Sequence, residues 1–409
     1  MWRLVKLYSI CFAFCLSVLL ILTRTRSAGN TNYLTPELLK NARYFLDLNN
    51  RRDAESHPIP TNRQDQTPNI EKILDRTRAK IKFELRDYNF TYSGVQRLED
   101  LVMETNGRPL RNIIISSWRS GTTFLGEVLN AIPGNYYHFQ PLLKYGHVQL
   151  KRYSQIKTAL SSIKSLLNCN FQGMDGYFDY GRQHDFQFSH NTRLWDHCKH
   201  NIDLCSDSDF MSKYCKLFPF QSMKILRLRL RFVKQILNDT KLDVKVVFLT
   251  RDPRGVMQSR LHRGFCRAAP DCSNAETLCM GMTSDYMAAG RLLKRYPNRL
   301  LLLRFEELAL NLNSTMQKLL KFLRLEHKQA LDEYLNSHTN TEVSGVTSTF
   351  RISRDVPFRW KDTLNFEYAD RIQATCKGAM KLWGYRIAHN ARHMASKDFD
   401  PLEPYKVPH

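Results

Sequence analysis

One stretch of the chain, Ile113–Asn130 (IIISSWRSGTTFLGEVLN), limits the possible folds more than any other. Three consecutive isoleucines are followed by small polar residues, one Arg and one Gly, and then by a second, partly apolar run. This order predicts a buried strand, a tight turn and the start of a helix. Such a turn presents backbone N–H groups at a helix N-terminus, where they bind phosphate.

The same alternation recurs after Pro109. Strands are predicted at Asn112–Ser117, Lys245–Thr250 and Leu300–Phe305, and helices at Thr122–Ala131, Pro253–His262 and Leu312–Leu323. Short apolar strands separated by helices predict an α/β fold with a parallel sheet that is covered on both faces. The region between Lys151 and Phe220 is less regular and contains cysteines. We interpret it as an insertion that shapes a substrate cleft.

The turn of the opening stretch contains several candidate phosphate ligands. Gly121 allows the backbone to approach a ligand closely, Thr122 and Thr123 supply hydroxyl groups, and Arg119 supplies a guanidinium fork. The usual pattern G-x-x-x-x-G-K-[ST] is absent. Without that Lys and without Mg²⁺ ligands, a kinase or an NTPase is disfavoured. The alternative is an ordinary strand-to-helix turn.

A second strand, basic turn and helix follow at Lys245–Leu261 (KVVFLTRDPRGVMQSRL). Arg251 ends the strand, and Ser259 lies on the following helix, so both are predicted to hold a second, separate phosphate. The alternative is that Asp252 caps the helix and that the arginines lie on the surface. Two anion sites on one sheet indicate a donor nucleotide with phosphates at two positions.

Charge alone does not identify the partner. The chain has 61 Lys and Arg against 39 Asp and Glu, a formal charge of +22. This excess favours an anionic partner such as nucleic acid, an anionic membrane, an acidic glycan or a nucleotide.

The N-terminus indicates the secretory pathway. Leu7–Thr23 has 17 residues without a charge and predicts a membrane anchor, with a cleaved signal peptide as the rival interpretation. No small-residue cleavage site follows, which favours the anchor. Three N-x-T sequons, at Asn89, Asn238 and Asn313, all follow the span and place the body of the protein in the lumen.

The cysteines beyond the span agree with a lumenal location. There are eight, an even number, and an oxidising compartment would pair them. Zinc is the alternative, since His197, Cys198 and His200 lie close together, but no C-x-x-C or H-x₃₋₅-H spacing supports it. We therefore predict disulfides without a pairing. Residues 49–69 are polar and Pro-containing and predict a flexible stem, and apolar spacing predicts an amphipathic helix over 70–88.

These motifs together resemble a known family. Arg119–Phe124 (RSGTTF) resembles the 5′-phosphosulfate loop of sulfotransferases, and Arg251–Arg254 (RDPR) with Ser259 resembles their 3′-phosphate motif. The chain is most similar to the Golgi carbohydrate 6-O-sulfotransferases that act on galactose, N-acetylglucosamine or N-acetylgalactosamine. The likeness covers residues 111–386 and includes three further motifs: Ser116–Trp118, Arg304–Leu308, and Phe358–Lys361 through Leu382–Tyr385.

The resemblance implies the sulfotransferase fold, a P-loop-like parallel sheet flanked by helices, with an N-terminal transmembrane helix. The implied donor is 3′-phosphoadenylyl sulfate, bound by Arg119, Ser120, Gly121, Thr122, Thr123, Phe124, Arg251 and Ser259, and no metal is required. Arg119 would also offset charge on the leaving phosphate. The implied acceptor is a sugar hydroxyl, at O6, of a glycan or proteoglycan rather than nucleic acid. The resemblance also implies a single-pass type II Golgi membrane protein.

The resemblance and the composition together divide the chain into five segments. These are a cytosolic tail (1–6), a transmembrane signal anchor (7–23), a lumenal stem (24–108), a sulfotransferase domain (109–390) and a C-terminal tail (391–409).

One position departs from the family pattern. These enzymes carry Glu before Pro after the loop helix, as a base toward the acceptor hydroxyl, whereas this chain has Gln140 before Pro141. An amide cannot act as a general base. Three interpretations remain: Gln140 positions the acceptor while another base acts, His138 takes over as the base, or the chain is a catalytically impaired lumenal protein that binds donor or glycan.

Overall fold

A five-stranded parallel sheet lies at the centre of the computed structural model, which describes residues 69–339 and 355–407. Its strand order is β2-β3-β1-β4-β5. The strands are β1 (Leu110–Ser116), β2 (Asn135–Phe139), β3 (Phe220–Ile225), β4 (Val244–Thr250) and β5 (Leu300–Arg304). Because all five are parallel, their carboxyl ends meet at one edge of the sheet, where ligands bind in open α/β folds.

The central strand β1 explains why its sequence is continuously apolar. Ile113 is aligned with Met223 of β3 on one side and with Val246 of β4 on the other. Helices cover both faces, so Ile113 and Ile114 are both fully buried. A strand of this kind does not need the alternation of polar and apolar residues found in half-exposed sheets.

Eighteen α-helices lie within the described residues. They are α1 (Ile70–Glu84), α2 (Thr122–Ala131), α3 (Tyr153–Leu167), α4 (Asp175–Gln183), α5 (Phe186–Ser189), α6 (Thr192–Cys198), α7 (Ser208–Lys216), α8 (Lys234–Leu237), α9 (Pro253–Leu261), α10 (Gly264–Arg267), α11 (Pro270–Ser273), α12 (Ala275–Arg295), α13 (Phe305–Leu310), α14 (Leu312–Leu323), α15 (Gln329–Thr339), α16 (Trp360–Thr363), α17 (Phe366–Trp383) and α18 (Ala391–Ala395).

The predicted parallel α/β sheet is confirmed, and its three predicted strands and three predicted helices are present with ends shifted by at most two residues. Two strands were missed. β3 reads FQSMKI and β2 reads NYYHF. Every residue of both strands is buried, but the polar residues in each sequence do not resemble a buried strand. The strand predicted at Leu300–Phe305 ends at Arg304, and the rest of the Arg304–Leu308 motif lies in helix α13.

The insertion between Lys151 and Phe220 is helical rather than irregular, because it contains helices α3 to α7. Four of these five helices have nine residues or fewer, so the apolar spacing in each is too brief to predict a helix from the sequence. The prediction of disulfides is confirmed: the eight cysteines form the pairs Cys169–Cys215, Cys198–Cys205, Cys266–Cys272 and Cys279–Cys376.

The amphipathic helix predicted over 70–88 is α1, and Asn69 caps it by accepting a hydrogen bond from the Lys72 N–H. Leu74 and Ile81 of α1 are buried against the domain. Among residues 69–339 and 355–407, no helix has the length and apolar character to cross a membrane. The predicted cytosolic tail (1–6), the anchor (7–23) and the stem up to residue 68 lie outside the described residues.

Candidate active site

The turn between β1 and α2 has the geometry of an anion-binding loop. Arg119 and Gly121 both have positive φ, 71° and 87°. A Cβ atom on Gly121 would lie 2.2 Å from the Phe305 ring, so glycine is required there. Gly121 is the N-cap of α2, whose first N–H groups have no intrahelical partners. A non-Gly residue with positive φ beside it is the kind of strain that occurs at ligand-binding turns.

Arg119 joins the two stretches that the sequence analysis treated as separate sites. Its Nε donates to Ser259 Oγ at 3.0 Å. Its backbone carbonyl accepts a hydrogen bond from Arg251 Nη1 at 3.0 Å. The structure therefore brings Arg119, Arg251 and Ser259 together at the carboxyl ends of β1 and β4.

Arg251 has one buried N–H donor that is not used within the described residues. Its guanidinium lies 4.5 Å from the centre of the Phe305 ring. Its Nε is buried and has no hydrogen-bond partner in the described part of the chain. A buried guanidinium nitrogen without an acceptor is costly unless a ligand supplies one. The position therefore suits an anionic oxygen.

The alternative interpretation of the second stretch is partly correct. Asp252 does cap helix α9, since its Oδ1 accepts from the Arg254 N–H at 2.8 Å. Arg254, however, is fully buried rather than on the surface. It pairs with Asp252 at 2.7 Å and lies 4.0 Å from the centre of the Trp360 ring. Asp252 and Arg254 therefore form a buried ion pair directly after Arg251 in the chain.

A second buried carboxyl group, that of Glu306, binds the backbone at Asp252. Glu306 of α13 accepts hydrogen bonds from the Asp252 N–H at 2.9 Å and from Tyr385 Oη at 3.1 Å. Burial, together with the charge of Asp252, raises the pKa of Glu306 to about 7.

Lys224 is a site residue that the sequence analysis missed. It lies on β3 and is fully buried, and its Nζ donates to Thr123 Oγ1 at 3.3 Å. The same Nζ lies 4.0 Å from the centre of the Phe139 ring. Burial lowers the pKa of Lys224 to about 7, although the charge of Glu127 acts in the opposite direction. A lysine is almost never fully buried without a partner, but this one lies in a strand that also contains Gln221 and Ser222, so the sequence carried no clear signal of its burial.

His138 and Gln140 occupy different environments. His138 lies within β2, is 2% exposed, and packs against Tyr136 with ring centroids 4.8 Å apart. Burial lowers the pKa of His138 to about 3. Gln140 follows the end of β2 and has a positive φ of 42°. The backbone is therefore not extended through Gln140, so the two side chains do not follow the alternation by which residues two apart share a face of a strand.

Gln140 is bound to a buried arginine. Its Oε1 accepts from Arg227 Nη1 at 2.9 Å, and Arg227 Nε donates to the carbonyl of Gly146. Arg227 follows the end of β3 and its guanidinium lies 5.9 Å from the centre of the Trp118 ring. Trp118 immediately precedes Arg119, so Gln140 and Arg227 lie on the β3 side of the turn between β1 and α2.

The comparisons with known proteins agree with this geometry. A family model described as "Sulfotransferase domain" matches residues 110–384. Carbohydrate sulfotransferase 4 of Mus musculus is 25% identical over 346 residues, covering 73% of this chain and 88% of that protein. Carbohydrate sulfotransferase 3 of Homo sapiens is 22% identical (72% and 71% covered), and carbohydrate sulfotransferase 6 of Homo sapiens is 23% identical (71% and 85% covered).

Proposed function

Since the chain belongs to the sulfotransferase domain family, we propose that it transfers a sulfuryl group from 3′-phosphoadenylyl sulfate to a hydroxyl group of a sugar. The observation that carries the proposal is the turn Arg119–Thr123 at the N-terminus of α2 inside the matched domain. The curated relatives support a sugar as the acceptor class. We place the acceptor hydroxyl at O6 of a glycan or proteoglycan on the resemblance described above.

The residues present suit this donor. We assign the 5′-phosphosulfate to the turn and the first residues of α2, from Arg119 to Phe124, with Lys224 beside Thr123. We assign the 3′-phosphate to Arg251 and Ser259, where the buried Arg251 Nε has no acceptor among the described residues. Burial disfavours the charged form of Lys224, and an anion bound beside Thr123 would favour it.

When bound, the donor supplies the sulfuryl group and a leaving 5′-phosphate. A sugar oxygen forms the new S–O bond, the S–O bond to the 5′-phosphate breaks, and the hydroxyl proton leaves to a base. Arg119, Lys224 and the N–H groups of α2 are positioned to offset negative charge on the leaving phosphate. By analogy with phosphoryl transfer, catalysis then rests mainly on positioning and charge stabilisation.

The identity of the base is a separate proposal. Gln140 cannot accept the proton, so we propose that it positions the acceptor through Arg227. A neutral imidazole with the pKa of His138 is a weak base, and the ring is enclosed by aromatic neighbours. This favours a positioning role for Gln140 over catalysis by His138.

We propose that the protein acts in the Golgi lumen as a single-pass type II membrane protein. Four disulfides in the described residues support an oxidising compartment. The uncharged span 7–23 and the sequons that follow it support the orientation.

The deciding experiment measures transfer of labelled sulfate from the donor onto a panel of desulfated glycans. Incorporation into at least one sugar acceptor is expected. The second candidate function, a lumenal protein that binds donor or glycan without transfer, is motivated by Gln140. Tight binding of adenosine 3′,5′-bisphosphate without transfer to any acceptor would favour that candidate.

A further inference from the structure

A histidine of the helical insertion lies against the end of β2. The His190 ring stacks on Phe139, with the ring centroids 3.8 Å apart and the ring planes at 15° to each other. Phe139 is the last residue of β2 and directly precedes Gln140. His190 therefore lies beside the segment in which the resembling family carries its base, in a chain that has an amide at that position.

The same face of the sheet carries Lys224, which we place beside the 5′-phosphosulfate. Phe139 is aligned with Lys224 of β3, so the two side chains point to the same face. Lys224 Nζ lies 4.0 Å from the centre of the Phe139 ring and donates to Thr123 Oγ1 of α2. His190 and Lys224 cannot be further apart than their two distances from this ring taken together. A sugar oxygen about 3 Å from a base, with its target sulfur beside Lys224, needs a span of this order.

A carboxylate is positioned next to His190. Glu127 lies one turn after Thr123 on α2, and its Oε1 is 3.5 Å from His190 Nδ1. A carboxylate at Nδ1 favours the tautomer with the proton there, leaves Nε2 as the proton acceptor, and stabilises the imidazolium that forms. Such contacts are commonly long before substrate binds and shorten in the complex. Glu127 and His190 therefore have the arrangement of an orienting carboxylate and a general base.

His190 is accessible, and its backbone is fixed. Its side chain is 22% exposed, whereas His138 as a whole residue is 2% exposed. His190 follows the last residue of α5 and precedes Asn191, whose side chain caps α6 by accepting from the Leu194 N–H. Within residues 69–339 and 355–407, no hydrogen bond occupies His190 Nε2. The ring is thus held by two helix ends and by Phe139, and this nitrogen can accept a hydrogen bond from a ligand.

Two other histidines in this part of the domain are less suited to accept a proton. Burial, together with the charge of Arg227, lowers the pKa of His147. His184 stacks on Tyr180, and its Nδ1 contacts the carbonyl of that residue at 3.1 Å. In the described part of the chain neither forms an ion pair with a carboxylate, whereas His190 does.

We propose that His190 is the general base of the transfer reaction and that Glu127 is its positioning residue. This inference rests on the proposed function and identifies the base that Gln140 cannot supply. The acceptor hydroxyl gives its proton to His190 Nε2 while its oxygen forms the new S–O bond. The S–O bond to the 5′-phosphate breaks, and the leaving phosphate keeps the electron pair. The partly exposed imidazolium then returns its proton to solvent.

The experiment uses the full chain, 3′-phosphoadenylyl sulfate at saturation, and a sugar acceptor that is sulfated in the glycan panel. Transfer gives kcat/KM for the acceptor between about pH 5 and 9. Calorimetry with adenosine 3′,5′-bisphosphate gives nucleotide affinity and reports whether the donor site is intact. The wild-type rate should fall as the pH decreases and the imidazole takes up a proton.

His190→Gln should lower kcat/KM by about 10²–10⁴-fold and remove this acidic limb, while nucleotide affinity is unchanged. His197→Gln is the matched control, because His197 is a partly buried histidine of the same insertion whose ring packs on Tyr214 instead. It should keep both the rate and the acidic limb. Added imidazole should restore part of the transfer rate of His190→Gly, which a purely structural role would not allow.

Glu127→Gln tests the orienting carboxylate. The His190 imidazole faces the carboxylate of Glu127 on α2 and, past the Phe139 ring, the ammonium group of Lys224 on β3. Loss of the carboxylate favours the neutral imidazole, so the acidic limb should move to lower pH, with a smaller loss of rate than in His190→Gln. Because Glu127 also acts on Lys224, nucleotide affinity is measured in the same variant. An acidic limb that does not move would overturn the role of Glu127.

The outcomes separate this inference from the proposed function. Full transfer by His190→Gln with an intact acidic limb would assign the base elsewhere and overturn this inference alone. A loss of nucleotide affinity in His190→Gln that matches its loss of rate, without recovery of His190→Gly by imidazole, would give His190 a structural role. Absence of transfer by the wild type to every acceptor would instead overturn the proposed function, and the assigned base with it.

Discussion

Arg119 Nε lies 3.0 Å from Ser259 Oγ, so the turn after β1 and the helix after β4 are directly hydrogen-bonded. Ser259 therefore supports Arg119, and it is also proposed to bind the 3′-phosphate, so its hydroxyl has two possible effects on donor binding. Support of Arg119 affects every donor nucleotide, whereas binding of the 3′-phosphate affects only nucleotides that carry it, so an experiment can separate the two effects.

Arg119→Ala should impair both donor binding and turnover. It removes a charge-assisted contact of the 5′ side, which is worth roughly 1.5–3 kcal/mol, or about tenfold to more than a hundredfold in affinity. Calorimetry with adenosine 3′,5′-bisphosphate and steady-state transfer rates provide the measurement. Arg267→Ala on helix α10 is a control outside the proposed site and should leave the affinity unchanged. Normal donor affinity in Arg119→Ala would remove Arg119 from the donor site.

Ser259→Ala should weaken binding of nucleotides that carry the 3′-phosphate. Adenosine 5′-phosphosulfate lacks that phosphate, so its affinity should scarcely change in this variant. Competition binding with both nucleotides gives the comparison. Equal weakening of both would mean that Ser259 acts by holding Arg119 in place rather than by binding phosphate.

Donor binding should be linked to protonation of Lys224. Burial lowers its pKa to about 7, and an anion bound beside it favours the charged form and raises that pKa. Binding between about pH 7 and 9 should therefore take up a proton, and affinity should fall as the pH rises. Calorimetry in buffers of different ionisation enthalpy detects the uptake. Lys224→Arg, which stays charged, should show none; an unchanged uptake would assign the proton to another group.

His138 should have little influence on the pH dependence of transfer. Burial keeps its pKa at about 3, so its imidazole is neutral above about pH 5. His138→Gln should lower stability because it disturbs packing against Tyr136 and Phe171, while the pH–rate profile above pH 5 keeps its shape. Loss of transfer with intact donor binding, together with loss of an acidic limb, would instead establish His138 as the base.

Glu306 should make the domain less stable as the pH rises. Its folded pKa of about 7 lies above its ordinary value of 4.5, so the folded protein retains a proton that the unfolded chain loses between these pH values. The free energy of unfolding should therefore fall across pH 4.5–7, by up to about 3 kcal/mol. Urea unfolding of wild type and Glu306→Gln measures the difference. The amide imitates the protonated acid, so an identical pH dependence in both would contradict the prediction.

The proposed lumenal topology predicts glycosylation. Asn89 and Asn313 are exposed in the structure, and all three sequons follow the uncharged span. Endoglycosidase treatment of the expressed protein should increase its electrophoretic mobility, and the cysteines should resist alkylation without reductant. No mobility shift, with freely alkylated cysteines, would place the domain in the cytosol.

The sequence was informative wherever a function depends on consecutive residues. β1, the turn and α2 are contiguous, so strand, glycine and helix N-terminus were readable as one unit. Lys224 and Arg227 were missed because their importance depends on which strands lie next to β3. The pairing of the eight cysteines was likewise inaccessible, since Cys279 and Cys376 are 97 residues apart and meet only through the packing of α12 on α17.

The sequence by itself determined the parallel α/β class, the glycine turn between β1 and α2, and the absence of a carboxylate at Gln140, because each is expressed in local residue order. Only the tertiary structure decided that Arg119 contacts Ser259, that His138 is enclosed, and that Arg227 lies against Gln140 without a counter-charge. Burial and charge compensation depend on atoms that are distant in sequence, since the parallel sheet brings its carboxyl ends together only when the whole strand order has formed. The chemistry of the donor site is therefore largely local in sequence, whereas that of the acceptor side is set by the fold.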